Sequence, residues 1–156
     1  MTTPFEAMRG VVNVTQFLPT LVAGGQPDLR HLEAFKAAGG KAVVDIRAPS
    51  EPRAFDEPGA ARALGLDYAQ VAVGPTPLTD ELMERVLAAL RRHPGENVLL
   101  HCASGNRTGG PMIAHLILDH GFEEEDAVQL ATRGGLRSPE ILAWGLNYAR
   151  RHGDHP

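Results

Sequence analysis

The segment of residues 101–109 constrains this chain more than any other part of its sequence. It reads His-Cys-Ala-Ser-Gly-Asn-Arg-Thr-Gly and contains the chain's one cysteine, Cys102. The apolar run of residues 98–100 predicts a buried strand before it, and the residues after Arg107 predict a helix. The sequence therefore places a cysteine at the carboxyl end of a strand, before a short loop of small residues that ends in arginine.

This order of residues suits a thiolate that works beside a bound anion. Gly105 and its small neighbours allow successive backbone N–H groups to turn inward around an oxyanion. The positive end of the following helix favours both a thiolate and a bound phosphate or sulfate. Arg107 can hold two phosphate oxygens with its planar guanidinium, and Thr108 can donate a hydrogen bond to the thiolate. An isolated cysteine is more often a small buried hydrophobe, but the ordered set of neighbours favours a nucleophile.

We therefore predict Cys102 and Arg107 as catalytic residues. The predicted substrate-binding residues around them are His101, Ala103, Ser104, Gly105, Asn106 and Thr108.

Composition limits the class of protein. A length of 156 residues suits one domain over residues 1–156, with a core from about residue 10 to about residue 150. The net charge of −4 and the lack of an aromatic and basic pattern argue against nucleic-acid binding. No apolar run approaches the ~20 residues of a membrane span, and no secretory signal is evident. A single cysteine favours the reducing cytoplasm, and the Arg, Ala, Gly and Pro bias is associated with bacterial proteins.

Strand and helix patterns alternate along the chain and predict an α/β fold. They indicate a single, mostly parallel sheet with helices on both faces. Ligands of such sheets bind at the carboxyl ends of the strands, where Cys102 falls. The predicted strands are residues 11–14, 20–23, 41–47, 68–73 and 98–102. Helices are predicted for residues 27–38, 59–64, 79–93, 111–120 and 123–133, and from residue 138 onward.

From these residues the chain resembles the cysteine-dependent phosphatases, the superfamily of tyrosine and dual-specificity phosphatases. Their signature is His-Cys, a glycine-containing loop, Arg and then Ser or Thr. Most of them have one residue more between Cys and Arg than the four found here. The shorter spacing is similar to that of a bacterial phosphatase-like family named for the beta-lactamase-hydrolase-like proteins. That resemblance spans roughly residues 10–135 and includes Gly-Gly-Gln-Pro at 24–27, Ala-Val-Val-Asp-Ile-Arg at 42–47 with Glu51 after it, and Gly-Leu-Asp-Tyr at 65–68.

The resemblance implies a phosphatase-like fold whose active loop joins a central strand to a helix. It also implies hydrolysis of phosphate monoesters through a phosphocysteine, with no metal and no other cofactor. The substrate would be a phosphoprotein or a small phosphate ester. His101 points away from Cys102 along a strand, so it is not a general base. The resemblance instead assigns it to shaping the loop and stabilising the thiolate.

A proton donor for the leaving group is not evident at its expected place. The resembling phosphatases carry an aspartate on the loop after the preceding strand, but residues 70–77 contain no carboxylate. Asp80 is the nearest substitute, although the helix dipole is enough to explain an aspartate in the first turn of a helix. Asp45 is another candidate, or it orients the cradle or pairs with Arg47. Arg133 and Arg137 can rim the pocket and attract anionic substrates, or they are surface arginines without a specific role.

Two other functions remain open. A rhodanese-like sulfurtransferase would carry a persulfide on Cys102 and need no proton donor. The four-residue spacing suits that function, whereas His101 and Thr108 do not. A non-catalytic phosphate-binding module is the third possibility. The sequence leaves the substrate and the oligomeric state undecided.

Overall fold

The computed structural model describes residues 2–153, and a five-stranded sheet lies at their centre. The strands are β1 (Thr15–Leu18), β2 (Leu21–Gly24), β3 (Gly40–Asp45), β4 (Asp67–Gln70) and β5 (Asn97–His101). Their order is β1-β2-β5-β3-β4. The β1 strand pairs antiparallel to β2, and the other pairs are parallel. The predicted fold class is therefore confirmed, and β5, which leads to Cys102, is the central strand.

Helices cover both faces of the sheet. They are α1 (Pro4–Ala7), α2 (Leu29–Ala37), α3 (Glu57–Ala63), α4 (Asp80–Arg91), α5 (Gly109–His120), α6 (Glu124–Arg133) and α7 (Pro139–His152). Alternate residues of a strand point to opposite faces. Val44 and Leu100 pack in the core beneath α4 to α7, whereas Val43 and Leu99 pack beneath α1 to α3. Cys102 belongs to the first of these cores.

Helix boundaries follow local capping signals. The Thr79 side chain accepts a hydrogen bond from the Leu82 N–H, and Ser138 caps α7 in the same way before Pro139. Gly121 ends α5 with a φ of 70°, in the left-handed region that glycine adopts at low cost. None of the helices within residues 2–153 is long and apolar enough to cross a membrane.

Two elements near the N-terminus differ from the prediction. Residues 11–14 form turns, and the first strand of the hairpin begins at Thr15. Asn13, with a φ of 56°, breaks the extended conformation that its apolar neighbours favour. Helix α1 was not predicted, although Thr3 and Glu6 form a capping box that marks its start.

Candidate active site

Cys102 follows β5 at the carboxyl edge of the sheet and is fully buried. Its Sγ accepts a hydrogen bond from the Gly105 N–H at 3.1 Å. Gly105 has a φ of +91°, and a Cβ placed on it would lie 2.5 Å from the Gly134 carbonyl oxygen. Only glycine meets both constraints, so the loop can fold back toward the sulfur.

The end of β2 holds the first half of the loop. The Cys102 N–H donates to the Gly24 carbonyl at 3.1 Å, and the Gln26 N–H donates to the Ala103 carbonyl at 3.0 Å. A Cβ on Gly25 would lie 2.6 Å from the Ala103 oxygen, so this close approach requires glycine. The Gly-Gly-Gln motif of the sequence therefore supports the cysteine loop directly.

Side chains hold the second half of the loop. The Asn13 amide donates to the Ser104 carbonyl at 2.8 Å. The Asn106 Oδ1 accepts the backbone N–H groups of Arg137 at 2.9 Å and Ser138 at 3.1 Å, at the start of α7. The loop is thus fixed from two sides before any ligand binds.

Arg107 is oriented by Glu51 and by the backbone. Its Nη1 donates to Glu51 Oε2 at 2.7 Å and to the Val73 carbonyl at 3.1 Å, and its Nη2 donates to Glu51 Oε1 at 2.9 Å. A guanidinium has five N–H groups, so Nε–H and one Nη2–H remain, both on the same edge. Those two groups donate to no oxygen within residues 2–153, and the guanidinium interacts with Cys102. Arg107 therefore keeps a two-pronged edge for a phosphate beside the sulfur.

Glu51 is the functional residue that the sequence analysis did not assign to the site. It lies in the loop after β3, where its carboxylate binds Arg107, the Arg47 Nε at 3.1 Å and the Ala48 N–H at 2.7 Å. Hydrogen bonding to Arg107 lowers the pKa of Glu51 from 4.5 to about 2, against the opposing effect of partial burial. Glu51 therefore stays ionised and acts as a positioning residue, not as a proton donor.

We expect Glu51→Gln to reduce kcat/KM for an aryl phosphate about tenfold, because it removes one charge-assisted interaction that orients Arg107. A second measurement separates this role from a general loss of structure. Glu51 releases its proton more readily in the folded state than in the unfolded state. Its stabilisation is therefore complete above pH 4.5 and is lost as the pH falls toward 2. The difference in Tm between wild type and Glu51→Gln should shrink over that interval, and a constant difference would contradict the assignment.

His101 supports the cysteine from behind the loop, with its side chain on the face of the sheet opposite the Cys102 sulfur. The strand alternation turns its side chain to the face opposite Cys102. There its Nδ1 lies 3.1 Å from the Cys102 carbonyl oxygen and its Nε2 lies 2.5 Å from Glu57 Oε2. The carbonyl oxygen accepts a hydrogen bond from Nδ1–H, and Nε2 is bonded to the Glu57 carboxylate. The His101 ring thus connects the main chain of the cysteine to Glu57.

A buried charge network surrounds His101. Glu57 also binds Gln26 at 2.7 Å and Arg53 at 3.0 Å. Burial raises the pKa of Glu57, but the hydrogen bond and charge of His101 outweigh it and lower the pKa overall. Asp45 pairs with Arg53 at 2.7 Å and accepts the Arg47 N–H at 2.9 Å.

This network includes a set of residues that could bind a metal ion. One oxygen or nitrogen of Asp45, one of Glu57 and one of His101 all lie within 4.8 Å of one another. Arg53 forms ion pairs with both carboxylates, His101 is bonded to Glu57, and Asp45 also accepts the Tyr68 hydroxyl at 2.6 Å. Both carboxylates therefore already have partners among the described residues. Because Asp45 lies on the face opposite Cys102, it is not a candidate proton donor for the loop.

Thr108 does not contact the sulfur in the way predicted. Its hydroxyl donates to the Gly105 carbonyl at 3.0 Å. Thr108 is also buried, and helix α5 begins directly after it, at Gly109. The hydroxyl therefore closes the turn of the loop, and the Gly105 N–H is the donor that reaches Cys102.

The prediction that Asp80 donates the proton does not agree with the structure. Its carboxylate binds Arg151 and also lies 3.2 Å from His152 Nε2. Hydrogen bonds to His152 and Arg151 lower the pKa of Asp80, whereas a general acid must hold its proton at neutral pH. Arg151 is near the end of α7, roughly 20 Å along the helix from Ser138, which contacts the loop. Asp80 therefore ties α4 to α7.

We expect Asp80→Asn to change kcat/KM less than about threefold on both an aryl phosphate and an alkyl phosphate, because an exposed ion pair contributes little. Steady-state kinetics with the two esters checks this prediction. A selective loss of about 10²-fold on the alkyl ester would show that Asp80 is the proton donor after all.

A cavity of about 430 Å³ lies at the amino ends of the strands. Its lining includes Leu21 and Val98, near the starts of β2 and β5, together with Arg91, His115 and Asp119. Cys102 follows the carboxyl end of β5, on the other side of the sheet. The cysteine and the arginine therefore indicate the loop, and not this cavity, as the candidate active site.

Solved structures show which proteins share this architecture. A DUF442 protein of Shewanella putrefaciens CN-32, named as a phosphatase, is 23% identical and has a TM-score of 0.79 over 96% of this chain and 99% of its own. PTPMT1 in complex with PI(5)P is 15% identical, with a TM-score of 0.76 over 88% of this chain and 95% of its own. A cysteine-to-serine variant of P. aeruginosa TpbA in complex with pTyr is 18% identical, with a TM-score of 0.63 over 92% of this chain and 85% of its own. This chain has a phosphatase fold.

The phosphatase fold confirms the resemblance inferred from residues 101–109 at the level of architecture. Neither a protein-family model nor a curated protein sequence matches the chain. The likeness to these solved structures is therefore one of fold.

Proposed function

We propose that this protein is a phosphate monoester hydrolase of the tyrosine and dual-specificity phosphatase type, with Cys102 as its nucleophile. The observation that carries the proposal is the pairing of Arg107 with Glu51, which leaves one two-pronged edge of the guanidinium beside the sulfur. That edge, the loop N–H groups and the N-terminus of α5 suit a phosphate held over Cys102.

The reaction has two displacements at phosphorus. The Cys102 thiolate attacks phosphorus, an S–P bond forms, and the bond to the leaving oxygen breaks. Water then attacks phosphorus, the S–P bond breaks, and orthophosphate and the thiolate are released. Arg107 and the loop amides stabilise the charge on the equatorial oxygens in both steps. None of these steps requires a metal ion or another cofactor.

The lack of an available proton donor favours substrates with a stable leaving group. The carboxylates considered as proton donors are otherwise engaged: Glu51 binds Arg107, Asp80 binds Arg151, and Asp45 is on the other face of the sheet. An oxygen that departs without a proton must be a stable anion, so aryl phosphates should react much faster than alkyl phosphates.

The structural relatives support a phosphorylated substrate. TpbA was solved with pTyr and PTPMT1 with PI(5)P, and both ligands carry a phosphate monoester group. We place the reaction in the cytoplasm, because the single free thiol of Cys102 survives best in a reducing compartment.

Hydrolysis of 4-nitrophenyl phosphate, with and without EDTA, tests the proposal. Turnover unchanged by the chelator supports it, and loss of turnover in EDTA would overturn the metal-independent mechanism. A parallel assay with thiosulfate and cyanide detects sulfur transfer. Thiocyanate formation faster than phosphate release would establish the sulfurtransferase function instead. Binding of tungstate without turnover of any ester would indicate a non-catalytic phosphate-binding module.

A further inference from the structure

Arg137 stands at the outer rim of the cysteine loop. Its backbone N–H donates to Asn106 Oδ1 at 2.9 Å, and its Nη2 lies 3.4 Å from the Ser104 hydroxyl. The side chain is exposed to solvent. The main chain therefore holds this residue against the loop, while its guanidinium faces outward beside Ser104.

The charge of Arg137 is not neutralised, unlike that of Arg47, Arg53 and Arg107. Arg47 and Arg107 form ion pairs with Glu51, and Arg53 pairs with two buried carboxylates. For Arg137, no carboxylate within residues 2–153 lies at ion-pair distance, and the Ser104 hydroxyl is the one hydrogen-bond partner of its guanidinium there. The rim consequently presents a positive charge to a molecule that enters the loop.

We propose that Arg137 binds a second anionic group of the substrate, so that the preferred substrates are phosphate esters that also carry a carboxylate or a further phosphate. The inference rests on the proposed phosphatase function. The scissile phosphate binds to the loop amides and Arg107, and the second anion binds to the guanidinium of Arg137 beside Ser104. A guanidinium can bind a carboxylate or a phosphate, because its planar pair of N–H donors matches two oxygens of either group.

Four probes separate the two kinds of anion. The first pair is 3-carboxyphenyl phosphate and its neutral match, 3-carbamoylphenyl phosphate. The second pair is the bisphosphate of resorcinol and 3-hydroxyphenyl phosphate. Within each pair the two esters have the same aromatic ring and the same position of substitution. The readout is the ratio of kcat/KM for the anionic probe to that for its neutral match.

For the wild type we expect this ratio to be about fivefold in favour of the anion in at least one pair, the size of an exposed ion pair. The ratio should fall to about one in Arg137→Gln and should be largely kept in Arg137→Lys. It should also fall in high salt, because exposed charges are screened. The main-chain contact with Asn106 persists in both variants, since it involves only the backbone N–H. Arg85→Gln makes the same change of charge on the exposed side of α4 and should keep the wild-type ratio.

A wild-type ratio near one for both pairs would overturn the assignment of Arg137, as would a preference that survives in Arg137→Gln. An equal fall in Arg85→Gln would show a general effect of net charge and would overturn it too. Failure of the proposed phosphatase function looks different, because none of the four esters would then be hydrolysed.

Discussion

We expect the replacement of Cys102 with serine to abolish hydrolysis of aryl phosphates, a loss of about 10⁵-fold or more, the scale seen when an enzyme loses its nucleophile. A serine hydroxyl is not ionised at neutral pH and needs a neighbouring base. His101 cannot act as that base, because its ring lies on the opposite face of the sheet and is bonded to Glu57. Steady-state assays of wild type and Cys102→Ser with 4-nitrophenyl phosphate measure the loss.

Two further measurements show whether the loss is chemical. The variant should still bind tungstate, because Arg107 and the loop main chain are retained, and calorimetry tests this. Rapid acid quenching during turnover of a ³²P-labelled aryl phosphate should trap label on wild-type protein and none on Cys102→Ser. Equal labelling of the two proteins, or activity retained in the variant, would exclude Cys102 as the nucleophile.

We expect the replacement of Arg107 with alanine to lower kcat/KM for aryl phosphates by about 10³-fold, because charge-stabilising donors of this kind contribute about 10²- to 10³-fold each. The variant loses both N–H groups on the free edge of the guanidinium together with its positive charge. Lysine cannot replace that edge, so Arg107→Lys should remain at least about tenfold below wild type. Kinetics with a single aryl ester and calorimetric titration with tungstate measure both effects.

A control separates the role of Arg107 in catalysis from its pairing with Glu51. Glu51→Gln keeps Arg107 and should lose far less activity than Arg107→Ala. Arg62→Ala, on the exposed side of α3, should behave as wild type. If Glu51→Gln and Arg107→Ala lose activity equally, Arg107 works only when Glu51 orients it, and the smaller loss expected for Glu51→Gln is wrong.

Elements with strong local signals could be predicted from the sequence. Helix α4 has a capping threonine and an apolar stripe, and it begins directly after Thr79 as predicted. The apolar run before Cys102 forms β5, within one residue of the prediction. The strand predicted at residues 11–14 was wrong, because one left-handed residue, Asn13, outweighs the propensity of three valines. Short apolar runs carry no information on the turn that interrupts them.

The candidate site also contains residues that the sequence predicts and residues that it does not. The loop residues are consecutive, so their order alone predicted a cysteine beside an arginine and a helix N-terminus. Glu51 lies far from Arg107 in sequence, and no local pattern pairs them. Its position after β4 predicts Asp80 as the proton donor, but the direction of α4 places its carboxylate beside Arg151 and His152.

The sequence by itself determined the alternation of strands and helices and the chemistry of residues 101–109, because strand periodicity, helix capping and glycine conformation act between near neighbours. The tertiary structure alone decided which carboxylate orients Arg107, which carboxylate binds His101, and that Arg137 has no ion-pair partner within residues 2–153. Those outcomes depend on strand order and on the packing of helices across the sheet. Strand order and helix packing bring together charged residues that are distant in sequence, and the electrostatic environment of each residue follows from those contacts.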